Sequence, residues 1–326
     1  MNWILLTCSL LVMEIPLERY TFDGVEMAVP VRMVLYAESQ EVAQRGAAAA
    51  FERFGDLNRR LSDYDEASEI RQFCDFARPG RFVCVSVDLW NVLREAVRAA
   101  EETDGAFDPT VGQVVRLWRH ARKAKKMPPA ERLQRALETV DYRKILWDEK
   151  TRAIALSQPG ARLDLGGIAK GYAIDEALKT LEKLGITRAL VDAGGDVGVS
   201  GPPPGKKGWM VAVSPMKKGE KPSEFLTLSH RGVANSGDMY QFVTLSGKRY
   251  SHLVNPQTGL GLTHRAMVSV IAQNATVADA LASAISVMGP EKGFSWAKRH
   301  ANIEVQILWP DSRGVIQRLE TEGFRR

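Results

Sequence analysis

Apolar and polar positions alternate through residues 21–37, TFDGVEMAVPVRMVLYA, with several β-branched residues in the run. A period of two predicts a pair of strands, and Asp23-Gly24 is the expected turn between them. The period then lengthens. Residues 38–62 are alanine-rich with apolar positions at helical spacing, which predicts a helix. Ser86 is placed to cap a second helix, running to about Glu102 and ended by Thr103-Asp104-Gly105. Pro128-Pro129 opens a third, reaching to about Val140. Residues 144–156 read as a hairpin around DEKTR, and a further helix is expected from just after Gly167 to Leu184. RALVDAGGDVGVSG (188–201) reads as strand, glycine turn, strand, and PPPGKKG as a loop before the strand WMVAV. Strand patterns return at 225–254 and 265–272. Helices are expected at about 275–299, and IEVQILW supplies a last strand.

Helices and hairpins interleave without regular βαβ alternation. The pattern predicts an α+β fold of mixed, largely antiparallel sheets with packed helices, in one compact domain. The chain has 326 residues, 45% hydrophobic and 25% charged, which suffices for a large core. Net charge is +5, and much of the excess lies in RHARKAKK (119–126), read as a charged loop or helix end. That stretch has no interleaved aromatics and no nucleic-acid motif, so nucleic acid is not an expected partner. The three cysteines, Cys8, Cys74 and Cys84, form no CxxC pair, which excludes a zinc ribbon. Cys74 and Cys84 either flank a hairpin or, the expected case, are two buried free thiols. No apolar run reaches the ~18 residues of a membrane-spanning helix. The opening MNWILLTCSLLVMEIP is apolar, but no Lys or Arg precedes its apolar run. It reads either as an export leader over residues 1–20, with LLTC at Cys8 resembling a lipoprotein cleavage site, or as a plain N-terminal strand or misassigned start.

Four stretches carry candidate chemistry. TDGAFDPTVGQVVRLW (103–118) reads as a loop passing close to a ligand; Asp108 either forms an Asx turn or offers its carboxylate to that ligand. In LDLGGIAKGYAID (163–175), a Gly-Gly pair stands between an apolar run and a helix, with Lys170 in the first helical turn. A cation there opposes the helix dipole and makes sense if an anion occupies the terminus. The glycine spacing fits neither a Walker loop nor a dinucleotide fingerprint. His252, before the Asn255-Pro256 and Thr258-Gly259 turn, is either a structural histidine or a reactive one. Asp279 and Ser283 stand at i and i+4 on one helix face, two hard oxygens that suit Mg2+ when substrate phosphates complete its shell.

The motifs FDGVEMAVP, LSDYDEASEI, TDGAFDPTVG, LDLGGIAKGYAID, VDAGGDVGVSG, GVANSGDMY, YSHLVNPQTG and ADALASA occur in this order across roughly residues 21–290. As a set they resemble the FAD:protein FMN transferase, or ApbE, family. The resemblance implies an ApbE-like, T-fold-like catalytic domain over residues 21–326, in an enzyme of the cell envelope, periplasmic or membrane-anchored through its N-terminus. It implies cleavage of FAD at the pyrophosphate and attachment of FMN to a Thr or Ser hydroxyl of an acceptor flavoprotein, with release of AMP. Met27, Tyr64, Ala106, Phe107, Asp108, Lys170 and Val254 would then line the FAD site. The carbonyl of Gly167, with Asp279 and Ser283, would hold Mg2+, and His252 would stand near the reacting phosphate. Two alternatives keep the site and change its use: an Mg-dependent FAD pyrophosphatase giving FMN and AMP, and a non-catalytic FAD-binding protein. This chain departs from the family pattern at Ala28 and Val29, where Gly-Thr is usual. It also carries Asn235 for threonine, Asn255 for aspartate and Ser283 for threonine.

Overall fold

The computed structural model describes residues 16–216, 222, 224–237 and 241–325. Residues 1–15 with Cys8, and the Asp238-Met239-Tyr240 end of GVANSGDMY, lie outside the described residues. The first strand, β1 (Glu18–Glu26), begins inside the segment set apart as a leader and pairs antiparallel with β2 (Val29–Ala37). The turn between them is Met27-Ala28, both with positive φ (49° and 61°), and not the expected Asp23-Gly24. Asp23 and Gly24 sit within β1, opposite Arg32 and Val31. Gly24 serves packing: a Cβ there would come 2.6 Å from the Phe51 ring of α1 (Gln40–Leu61).

The next elements are α2 (Glu69–Phe76), β3 (Val83–Cys84) and α3 (Val87–Glu102). Ser86 caps α3 as expected, accepting a bond from the Leu89 amide at 3.2 Å. Residues 112–118, expected as part of a loop, are instead helical, in α4 (Gly112–Ala124). Gly112 lets that helix start press against the chain at 162–163: its amide donates to the Arg162 carbonyl at 3.1 Å, and a Cβ would sit 2.7 Å from that oxygen. The basic run ends α4, where cations complement the helix dipole. Helix α5 (Ala130–Leu137) stops short of Val140. β4 (Ile145–Asp148) and β5 (Ala153–Leu156) form the expected hairpin, and β3 adds to the free side of β5. Cys74 is buried, but Cys84 lies exposed on that short edge strand, against the expectation of two buried thiols.

Then come α6 (Ala169–Lys183), β6 (Ala189–Ala193), β7 (Asp196–Val199), β8 (Trp209–Ala212), β9 (Phe225–Leu228) and β10 (Arg231–Gly237). β11 (Phe242–Leu245), β12 (Lys248–Ser251), β13 (Met267–Ala272), α7 (Ala275–Met288), α8 (Pro290–Ala297), β14 (Glu304–Pro310) and β15 (Ile316–Glu320) complete the chain. The last strand had no counterpart in the sequence reading.

An eight-stranded sheet of order β1-β2-β6-β7-β10-β13-β14-β15 organises the molecule, and every neighbouring pair in it is antiparallel. The alternation in β2 explains its two coats. Val31, Met33 and Leu35 point into the main core with α1, α3 and α6, while Val34 and Tyr36 face the β8–β9 hairpin and Phe324. Helices α7 and α8 pack on β13 and β14 in a contiguous second core. A smaller cluster ties α4 and α5 to β11, β12 and Val254. No described helix is long and apolar enough to cross a membrane.

Candidate active site

Helices α6 and α7 lie antiparallel at backbone contact. Gly167 stands against Ser283, Gly171 against Asp279 and Ala275, and Asp175 against Ala275. A Cβ on Gly171 would fall 2.2 Å from the Ala275 carbonyl oxygen, and one on Gly167 would fall 2.9 Å from Ser283 Oγ. Glycine at these positions sets the distance between the helices. Each helix start is met by a carboxylate of the other. Asp279 accepts from the Gly171 amide at 3.1 Å, and Asp175 accepts from the amides of Ala275 and Thr276 at 2.9 and 2.8 Å. Orphan amides and the positive helix ends are satisfied together.

The anion expected in front of Lys170 is, in the protein alone, a carboxylate. The Lys170 ammonium is ion-paired with Asp196, which is 1% exposed at the start of β7. Burial alone would lower the Lys170 pKa, but the charges of Asp279 and Asp196 outweigh it and hold the group above its ordinary value. Asp196 also accepts from the Asn235 amide at 2.9 Å. The Asn235 side chain donates to the Gly195 carbonyl at 2.8 Å and accepts from Ser269 Oγ at 2.7 Å. Burial pushes Asp279 up to about 6, against the pull of Lys170 and with the help of Asp196.

Gly167, Asp279 and Ser283 thus come together at one end of the helix pair. Among the described residues no three or more His, Cys, Asp or Glu side chains cluster as metal ligands. A cation here would have one carboxylate, one hydroxyl and one backbone carbonyl, all hard oxygens. That donor set fits Mg2+, which keeps several positions for water or phosphate.

The other named residues surround this point unevenly. Phe107 is buried with Ala106, and a Cβ on Gly167 would be 3.1 Å from the Phe107 ring. Met27 occupies the β1–β2 turn, whose neighbour Val29 packs on Gly194, in the turn leading to Asp196. Tyr64 is 72% exposed, with the Arg119 guanidinium 3.9 Å from its ring centre. Arg119 in turn pairs with Asp63 at 2.6 Å and Asp164 at 3.1 Å. Asp108 is buried and forms the Asx turn: it accepts from the Thr110 amide and hydroxyl and from the Tyr142 amide. Burial holds it above the usual carboxylate range. It also lines a cavity of about 350 Å³ with Asp104, Tyr142, Arg143, Pro256 and Gln257, which joins the 103–108 segment to the NPQTG loop.

His252 is half-buried just after β12. Its amide donates to the Gln241 carbonyl at 2.9 Å, and Nδ1 lies 3.1 Å from the same oxygen. A carbonyl only accepts, so this contact puts the proton on Nδ1 and, in the neutral ring, the lone pair on Nε2. Val254 turns its side chain into the cluster around Val114 and Trp118. The loop after it is anchored by Trp118 Nε1, which donates to the Gly259 carbonyl at 2.7 Å. Asn255 accepts from the amides of Gln257 and Thr258.

Two carboxylates escaped the sequence reading. Asp196 holds Lys170, and Asp164, pushed up to about 6 by burial and by Asp63, accepts from the Gly166 amide at 2.8 Å. Both flank a Gly-Gly pair: Asp164 two residues before Gly166-Gly167, Asp196 directly after Gly194-Gly195. That repeated adjacency was the available signal.

The sequence profile of the ApbE family matches residues 27–307. The chain belongs to the ApbE family. The FAD:protein FMN transferase of Haemophilus influenzae is 31% identical over 278 residues, 83% of this chain and 80% of that one. The enzyme of the same name from Treponema pallidum is 31% identical over 74% of this chain and 73% of its own. The crystal structure of the ApbE protein from Thermotoga maritima superposes with a TM-score of 0.83 at 31% identity, over 95% of this chain and all of that one. The flavinyl transferase ApbE of Pseudomonas stutzeri, 24% identical, shares the fold at the same score. The α+β architecture with largely antiparallel sheets is therefore that of the ApbE family.

Proposed function

We propose that this chain is an FAD:protein FMN transferase that places FMN, through a phosphoester, on a Thr or Ser hydroxyl of an acceptor flavoprotein. The observation that carries the reading is the meeting of Gly167, Asp279 and Ser283 beside the half-buried Lys170 ammonium. One point of the molecule thereby offers hard oxygen donors and a fixed positive charge, which is what a pyrophosphate substrate requires. Family membership and the curated relatives' names supply the reaction.

The acceptor oxygen attacks the phosphorus on the FMN side of FAD. The bond from that phosphorus to the bridging oxygen breaks, and AMP departs with that oxygen. The Gly167 carbonyl, Asp279 and Ser283 would hold Mg2+, which when bound would supply positive charge to the pyrophosphate. Lys170 adds a second positive charge from the first turn of α6. His252 takes the acceptor's proton on Nε2, its Nδ1–H oriented by the Gln241 carbonyl. Phe107, Ala106, Met27 and Tyr64 bound the flavin side, with Asp108 and the backbone at Val254 at its margin. The residues ahead of β1 act as an envelope leader, so the enzyme and its acceptor meet at the periplasmic membrane surface.

Mass spectrometry of a Thr-bearing acceptor peptide after incubation with FAD and Mg2+ tests the reading; the peptide should gain one FMN. Release of free FMN and AMP with no labelled peptide would instead make the chain a pyrophosphatase. FAD binding without turnover would make it a flavin carrier.

A further inference from the structure

The mechanism uses Lys170 and Asp279 but leaves Asp196 without a part. Asp196 is more completely buried than either, and a chain of bonds converges on it. Lys170 pairs with it, the Asn235 amide donates to it at 2.9 Å, and Asn235 is itself held by Gly195 and by Ser269 on the adjacent strand β13. Asp279 accepts from the amide of Gly171, the residue after Lys170, and its charge acts on the same ammonium. One half-buried cation is therefore paired with one buried carboxylate, Asp196, and acted on by the charge of a second, Asp279. An unpaired ammonium in such a site moves toward whichever carboxylate is left to it.

We infer that Asp196 is a positioning residue that keeps Lys170 off Asp279, leaving the Asp279 carboxylate available to Mg2+. Without Asp196, Lys170 collapses onto Asp279 and competes with the metal for the same oxygens. Asn235, where the family commonly has threonine, does two jobs in this chain. Its backbone amide fixes Asp196, and its side chain ties the β7 turn to Ser269. The inference rests on the proposed metal site, and its test separates the two.

The experiment measures Mn2+ binding to the flavin-free protein by electron paramagnetic resonance, with Mg2+ as competitor. Asp196→Asn should weaken Mn2+ binding about tenfold, as expected for loss of one favourable arrangement at a divalent site. The double variant Lys170→Met with Asp196→Asn should recover most of that affinity, because the competing cation is gone. A merely structural Asp196 would give a double variant no better than the single one. Asp196→Glu should stay within a few-fold of the parent. Unchanged Mn2+ binding in folded Asp196→Asn overturns the inference while leaving the metal site intact, whereas a parent protein that binds neither ion removes the metal site and the inference together. If Asp196→Asn does not fold, Ser269→Ala loosens the same chain from its far end. A weaker shift in the same direction then supports the inference, and no shift overturns it.

Discussion

The two halves of the proposed site are built by different means. On the α6–α7 side, residues are held by backbone contact, buried carboxylates and two glycines that admit no side chain. On the β12 side, His252 is half-buried with its Nδ1 against the Gln241 carbonyl, on a loop pinned to α4 by the Trp118–Gly259 bond. The first half is suited to fixed charges on a small ligand. The second is more open, with Gln257 and Thr258 exposed on the same loop. The contrast teaches that tolerance to substitution should differ across a single site: on one side changes cost fold and chemistry together, on the other chemistry alone.

Substitutions can break that contrast. Asp279→Ala should abolish Mg2+-dependent FAD turnover and also lower the melting temperature, because the Gly171 amide loses its acceptor; turnover at the parental rate would remove the metal assignment. His252→Ala should lower the rate by about 10² to 10⁴ with FAD affinity and melting temperature near the parent's. A purely structural histidine would show the reverse: an intact rate per folded molecule and a lowered melting temperature. Gly171→Ala should cost about 3 kcal/mol in chemical denaturation, since the new methyl meets the Ala275 carbonyl and the helices must part. Parental stability would mean that the helix pair can slide. Asn255→Asp should change stability by no more than about 0.5 kcal/mol, because an aspartate oxygen accepts the Gln257 and Thr258 amides equally well.

A further effect concerns pH. Asp164 titrates in the fold at about 6, against 3.8 for an ordinary aspartate, so the folded state holds this proton more tightly. Its contribution to stability falls as pH rises between those values and is fully lost above the upper one. Asp164→Asn should flatten part of that decline in thermal unfolding run from acid to neutral pH, with Asp63 retaining Arg119. An unaltered slope would show that Asp164 does not titrate there.

The legible parts of the sequence were local ones. Ser86 before an apolar period, with Asp104-Gly105 after it, marks α3 at both ends because capping and termination act within a few residues. Asp279 and Ser283 share a face by helix period alone. Several of the errors have long-range causes. Asp23-Gly24 carries turn chemistry, but Phe51 of α1 claims Gly24, and the turn goes to Met27-Ala28. Gly112 looked like loop because its reason for being glycine is the chain 50 residues later. β15, IQRLE, is an edge strand with polar residues and weak alternation, recognisable only beside β14. Asp196 became visible as the partner of Lys170 only when β7 was laid beside the start of α6.

The exchange of carboxylates between α6 and α7 also bears on the order of assembly. Gly171 and Asp279 are 108 residues apart in sequence, and Asp175 and Ala275 are 100 apart. Closing so long a segment is entropically costly and comes late on a folding route, after local hairpins and helices have formed. A nascent or half-folded chain accordingly possesses neither helix contact nor ligand cradle. Any chemistry that needs the proposed cradle therefore waits for the two helices to dock. Flavin or metal added during refolding should leave the refolding rate unchanged and slow only the unfolding of the finished protein.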